Sequence, residues 1–280
     1  MIDLFQVNVK YLKPENYIEA AENDNTFTES PIDIALKRDA SNYRVLDMRG
    51  GIQNAFNGGA LVAYHHNTVG GYNPAKLSIY QDLIENQWYK FPNCLPVVNM
   101  MNTKYVISGN IATDTIANPE ALGNVWFVKG IEYKKGPAEV MSSLSNFNPK
   151  HTAIIEEKDK LNDLTAITYD SAATINLVDN KNDIVTYISN ASQKQFAVFS
   201  EVYYKLGWKA YIDEVESPII KTNYVLRALV VPAGNHAIRF EFKPITIKNS
   251  IIASTFASIL LWLGIVAMIV MAYRNKQKSI

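Results

Sequence analysis

The chain has 280 residues, and its 27 lysines and arginines balance 27 aspartates and glutamates. Balanced charge gives no electrostatic footprint for nucleic acid. No glycine-rich phosphate loop, Cys-x-x-Cys or His-Glu-x-x-His occurs, and the single Cys94 cannot close an intramolecular disulfide, so no cofactor and no metal are expected.

Leu4, Gln6 and Asn8 alternate with Phe5, Val7 and Val9, which predicts an opening strand. Pro14 to Glu22 reads as one short helix and Tyr43 to Asp47 as a strand. Gly50-Gly51 and Gly58-Gly59 bracket a predicted loop. Asn73-Pro74 is an N-cap followed by proline at the first helical position. It predicts a helix through Lys76, Leu77, Tyr80, Leu83 and Ile84. A second short helix starts at Pro96, covers Val97 to Met101 and ends near Asn102. Tyr105 to Ile107 and Trp126 to Val128 read as strands, Pro137 to Leu144 as a helix, and Thr152 to Ile155 as a strand.

From about Leu164 the pattern changes to short alternating runs with the spacing of an antiparallel sandwich. They are Thr174–Val178, Ile184–Ser189, Gln195–Tyr203, Trp208–Ile212, Tyr224–Val231 and His236–Phe242. In the last, Ile238, Phe240 and Phe242 face one way and Arg239 and Glu241 the other. Pro232 to Asn235 makes the turn before it.

Ile251 to Tyr273 holds no charged side chain and stops at Arg274, with Lys276 and Lys278 close behind. As a helix it spans roughly 34 Å, enough for a hydrocarbon core of about 30 Å. The lipid bilayer is therefore an expected partner. The fold class is α+β. A mixed α/β subdomain covers 1–163, an antiparallel β-sandwich 164–248, a transmembrane helix 249–273 and a tail 274–280. The short link from Lys243 to Asn249 holds the sandwich near the bilayer surface.

Met1 to Phe5 has no basic n-region and no long apolar run, so it does not read as a signal peptide. Two arrangements follow: a tail-anchored cytoplasmic domain, or the end of a longer polytopic protein. Basic residues nearly tie across the span. Those on its C-terminal side sit tighter against it, which favours a cytoplasmic tail.

Several segments carry a resemblance. They are Phe199-Ser200-Glu201-Val202-Tyr203-Tyr204, Gly207-Trp208-Lys209-Ala210-Tyr211-Ile212-Asp213, Asn223-Tyr224-Val225-Leu226-Arg227-Ala228 and Val231-Pro232-Ala233-Gly234-Asn235-His236. Upstream, Gly70-Gly71-Tyr72, Ala75-Lys76-Leu77, Tyr80-Gln81-Asp82-Leu83, Asn102-Thr103-Lys104-Tyr105 and Ala121-Leu122-Gly123-Asn124-Val125-Trp126-Phe127-Val128 agree. Together they resemble the C-terminal third of the YfhO family, particularly its Bacteroidota-type members. These are large polytopic bacterial membrane proteins related to the GT-C class of lipid-sugar-dependent glycosyltransferases.

The resemblance implies an extracytoplasmic domain on the bacterial inner membrane, a cytoplasmic C-terminus, and upstream membrane helices of the same protein or a split partner. It implies an envelope glycan or lipid-linked sugar as ligand. The catalytic acids of GT-C enzymes lie on an early extracytoplasmic loop to which nothing here corresponds, so no catalytic residue is expected. One position departs from the family pattern. Glu214 stands where glycine usually follows the Asp213 turn, so a longer turn or another type is expected there.

The candidate ligand residues are Tyr72, Lys76, Tyr80, Gln81 and Lys104. Lys76 and Tyr80 are four apart on the predicted helix; tyrosine stacks on sugars and lysine meets a lipid phosphate. The alternative is that Tyr80 packs the helix onto a sheet while Lys76 is solvated. Lys104 reads as a groove residue or a surface lysine. Trp208, Tyr211 and Arg227 fit a carbohydrate platform, or, for Trp208, core packing. His65-His66 read as a strand pair pointing to opposite faces, unable to chelate one ion.

Overall fold

The computed structural model describes residues 2–160 and 168–278. The boundary at 163/164, with the change of pattern near Leu164, lies outside the described residues.

The chain opens with two helices, α1 (Ile2–Tyr11) and α2 (Ala20–Thr26), around a single 3-10 turn at Pro14–Asn16. The alternating opening is thus a helix and not a strand. Leu4, Phe5, Val7 and Val9 are exposed on it. An alternating run becomes a strand only where a neighbour takes its backbone N–H and C=O groups. Without one, the helix satisfies them internally. The single helix expected over Pro14 to Glu22 is broken by extended backbone at Tyr17. Helix α3 (Pro31–Leu36) follows, with Pro31 in its first turn and the Ser30 backbone N–H donating to Asp33 Oδ2 at 2.9 Å.

Strand β1 (Arg44–Asp47) leads into three helices, α4 (Gly51–Asn57), α5 (Val62–His65) and α6 (Ser78–Asn86). The predicted loop between the glycine pairs is α4. Gly51, at φ +78°, turns the chain into it. Gly70 packs so closely on α4 that a Cβ there would meet the Ala55 carbonyl oxygen at 2.1 Å. The His65-His66 pair sits at the end of α5, not in a strand. Helix α6 starts at Ser78, later than Asn73-Pro74 predicted. Asn73 Oδ1 accepts the Ala75 N–H at 2.9 Å, closing an Asx turn, and Leu77 is extended. Lys76 therefore precedes the helix and shares no helical face with Tyr80.

Helix α7 (Leu95–Met100) ends at Asn102, whose φ of +54° makes it a left-handed cap. Strands β2 (Thr103–Ile107) and β3 (Thr115–Ala117) follow. β1 and β2 are parallel, β2 and β3 antiparallel. After β4 (Val125–Phe127) come β5 (Gly130–Lys134), α8 (Pro137–Ser143) and β6 (Thr152–Glu156), with β5 and β6 paired in parallel.

The rest is antiparallel: β7 (Thr174–Asn180), β8 (Ile184–Ala191), β9 (Gln195–Val202), β10 (Trp208–Ile212), β11 (Val215–Ser217), β12 (Ile220–Thr222), β13 (Leu226–Val231) and β14 (Gly234–Phe242). One sheet has the order β11-β10-β14-β8-β7, the other β12-β13-β9-β4. Strand β4, from the first part of the chain, forms an edge of the second sheet.

That four-stranded sheet is covered on both faces. On β9, Phe196 and Val198 join the helical core around Phe56, Trp88 and Met100, while Ala197 and Phe199 face the five-stranded sheet. Alternation here sorts side chains between two cores, not between core and water, so the strand reads as a continuous apolar run. Between the sheets Phe199 meets Tyr187 at 4.9 Å and Phe240 at 4.8 Å, both edge to face.

The Asp213 turn is the tight form. Ile212 pairs with Val215, leaving a two-residue loop in which Asp213 (φ +49°) and Glu214 (φ +66°) are both left-handed. Neither the longer turn nor the other turn type expected from Glu214 is present. Asp213 accepts from His236 at 2.6 Å and from the Ala237 N–H at 2.9 Å, and Glu214 pairs with Arg239. These bonds offset the backbone strain.

Helix α9 (Ile245–Lys278) follows β14 after two residues. Its stretch Ile245–Met271 is long and apolar enough to cross a membrane, with none of its most apolar window buried against the rest of the protein. It starts earlier than the predicted 249, because Lys243-Pro244 alone make the link expected over Lys243 to Asn249.

Candidate functional site

A cleft of about 710 Å3 opens where α6, β9, β10, β13 and the end of β14 converge. One wall is the 68–77 segment with Lys76 and Tyr80; the other carries Trp208, Arg227 and Phe242. Two groups of residues that the sequence keeps about 130 positions apart thus face one cavity. Phe242 lines it, and α9 begins at Ile245, so the cleft lies beside the root of the apolar helix.

Arg227 alternates toward the inter-sheet side of β13, at the end of the aromatic core. Its guanidinium carbon stands 4.1 Å from the Trp208 ring centroid and 5.6 Å from that of Phe240. Nε donates to the Val202 carbonyl at 2.9 Å, while Nη1 has no hydrogen-bond partner among the described residues. The residue is 4 % exposed. Burial pulls its pKa down to about 10, against the pull of the nearby Glu201 carboxylate. Glu201 itself is bound to Arg44 Nη2 at 2.8 Å. Arg44 Nη1 also donates to the Ser200 carbonyl at 2.6 Å.

Lys76 Nζ donates to the Phe56 carbonyl and to Gln81 Oε1, each at 3.2 Å. Gln81 stands behind it and donates to Glu85 at 2.7 Å. The Tyr80 hydroxyl donates to the Val69 carbonyl at 2.5 Å, and burial raises its pKa. Tyr80 thus packs against the helical core with its hydroxyl spent on Val69, as the alternative had it, while the lining is polar at Lys76 and aromatic at Trp208, Tyr204 and Phe242. Trp208 packs 5.3 Å from Phe242 at the margin of the core and lines the cleft.

Tyr72 is 60 % exposed and does not line this cleft. Lys104 lies elsewhere, on β2. It binds Asp39 Oδ2 at 2.6 Å between the rings of Tyr43 and Tyr105. That bond is the main cause holding the Asp39 carboxyl well below its ordinary value. Tyr211 faces Arg239 at 4.5 Å, away from the lining. Arg44, Glu201 and Tyr204 line the cleft without having been singled out as ligand residues. Arg44 opens a strand whose pairing no local pattern reveals.

Among the described residues no group of three or more His, Cys, Asp or Glu assembles for a metal. His66 binds Asp33 at 2.9 Å, both buried. Burial alone would raise Asp33, but bonds from Ser30 and His66 outweigh it and hold the carboxyl below its ordinary value. His236 has both ring nitrogens occupied, by Asp213 and the Ala233 carbonyl, which leaves neither to activate a nucleophile. The cleft is equipped to bind: donors, a buried cation and aromatic faces.

Comparison with family models, with curated proteins and with solved structures gives no match.

Proposed function

We propose that this chain is the membrane-anchored, non-catalytic binding portion of a YfhO-like envelope protein, and that its cleft holds a saccharide. In this reading the two antiparallel sheets form a β-sandwich. Helix α9 crosses the bacterial inner membrane, the sheets lie on the extracytoplasmic side, and Arg274, Lys276 and Lys278 follow in the cytoplasm. The helix packs with the upstream membrane helices of the same protein or of a split partner. The whole would transfer a sugar from a polyprenyl-phosphate donor to an envelope glycan, with this part holding the glycan or lipid-linked sugar.

The observation that carries the binding role is the cleft. It joins the Lys76 ammonium to aromatic faces on Trp208 and Tyr204. Sugars need that combination, because their hydroxyls demand polar partners and their C–H faces pack on rings. Its place beside the root of α9 suits a ligand presented at a membrane surface. The family assignment rests on the segments quoted above.

The test is calorimetric titration of the full chain in nanodiscs with envelope oligosaccharides. Binding that weakens tenfold or more in both Lys76→Ala and Trp208→Ala is expected. Absence of saccharide binding by the unaltered chain would reject the reading.

A further inference from the structure

We propose that the part of this cleft lined by Arg227 is an oxyanion site, in which the Arg227 guanidinium takes a carboxylate or phosphate oxygen carried by the ligand. The inference rests on the saccharide reading above and narrows it to acidic ligands.

Three observations support it. Arg227 is 4 % exposed, yet Nη1 has no partner among the described residues. A guanidinium nitrogen carries only donors, and leaving one unsatisfied inside a protein is costly unless a ligand completes it. Second, the charged lining consists of Arg44, Lys76, Arg227 and Glu201, three cations against one carboxylate. Glu201 spends an oxygen on Arg44 at 2.8 Å and, among the described residues, makes no ion pair with Arg227, so the cationic excess at Arg227 is not cancelled by contact. Third, Trp208 fixes the guanidinium from one side at 4.1 Å, and the Val202 carbonyl fixes Nε. The fork is held before any ligand arrives, so little freedom is lost on binding. Burial lowers the Arg227 pKa, with the Glu201 carboxylate acting against it. An acidic sugar fits this layout: its anion meets Arg227, and its ring lies along the aromatic wall.

The experiment is calorimetry on the full chain in phosphatidylcholine nanodiscs. The probes are glucose, glucose 1-phosphate, glucuronate and inorganic phosphate. Glucose 1-phosphate and glucuronate should bind at least tenfold tighter than glucose. Arg227→Gln should abolish that difference, and Lys76→Gln, at a half-exposed position, should reduce it two- to fivefold. Equal affinity for glucose and its acidic counterparts overturns the oxyanion site and leaves the saccharide reading standing. Phosphate binding that depends on Arg227, without glucose binding, keeps the oxyanion site and removes the saccharide. No binding of any anion overturns the proposal without recourse to a variant. Repetition in phosphatidylglycerol nanodiscs separates the two sources of the anion. If apparent affinity for glucose 1-phosphate falls there tenfold, and only with Arg227 intact, a lipid headgroup is the occupant and the acidic-sugar assignment fails.

Discussion

His236 Nδ1 stands 2.6 Å from Asp213 Oδ2, while its Nε2 stands 3.0 Å from the Ala233 carbonyl oxygen. Only the imidazolium can donate to both acceptors. The Asp213 bond, then the Ala233 bond, raises the His236 pKa above its ordinary 6.5. The same His236 bond, then the Ala237 N–H, lowers Asp213 below 3.8. The histidine contribution to stability is full below about pH 6.5 and is lost as pH rises through the raised value. The aspartate contribution is present above about pH 3.8 and is lost as pH falls through the lowered one. Melting temperature should therefore be higher near pH 5.5 than near pH 8.5, and His236→Gln should shrink that difference. An unchanged difference in the variant would reject the pair as its source.

Glu214 occupies a left-handed position with its side chain 79 % exposed. A non-glycine residue pays about 1 kcal/mol or more there, and its exposed pair with Arg239 returns about 0–1 kcal/mol. Glu214→Gly should be neutral or stabilising by up to about 1 kcal/mol. A loss of more than that in denaturant unfolding would show that the Arg239 pair outweighs the turn.

Asn223 is fully buried and closes a ring with Ile154: its N–H donates to the Ile154 carbonyl at 2.8 Å, and its Oδ1 accepts the Ile154 N–H at 2.8 Å. Its φ is +46°. Asn223→Ala strands the Ile154 N–H, costing about 1–3 kcal/mol, and places alanine at a left-handed position. Thermal unfolding should fall by several degrees. An unchanged melting point would mean that the loop finds another acceptor.

The topology proposed above has its own readout. Behind the membrane helices that the YfhO-like reading requires, green fluorescent protein fused after Ile280 should fluoresce and alkaline phosphatase should be inactive. The reverse pattern would place the sheets in the cytoplasm. Residues 1–280 alone should show no sugar transfer; turnover would contradict the non-catalytic reading.

The antiparallel strands were the most legible part of the sequence, because β-branched and aromatic runs such as Trp208–Ile212 stop at turn residues. The helix end near Asn102 was legible because asparagine tolerates the left-handed conformation that closes a helix. The opening helix was not: Phe5, Val7 and Val9 alternate, but no strand pairs with them. Nor were β11 and β12, three residues each, too short to carry a period. The two-residue turn at Asp213 was hidden because its support comes from His236 and Arg239, one strand away. The site was half legible. Lys76, Tyr80, Trp208 and Arg227 each stood out, Arg227 beside Trp208 and Tyr211 as part of a carbohydrate platform. That they share a cleft depends on packing between distant segments, which no window of sequence contains.

Strand β14 runs into α9 with only Lys243 and Pro244 between them, and it is the central strand of its sheet, flanked by β10 and β8. A pull on the helix along the strand would load both hydrogen-bond ladders in shear, so many bonds must yield together. An edge strand peeled sideways would give way one bond at a time. The sheet is thus mounted on that helix through its central strand, whose last residue, Phe242, lines the cleft.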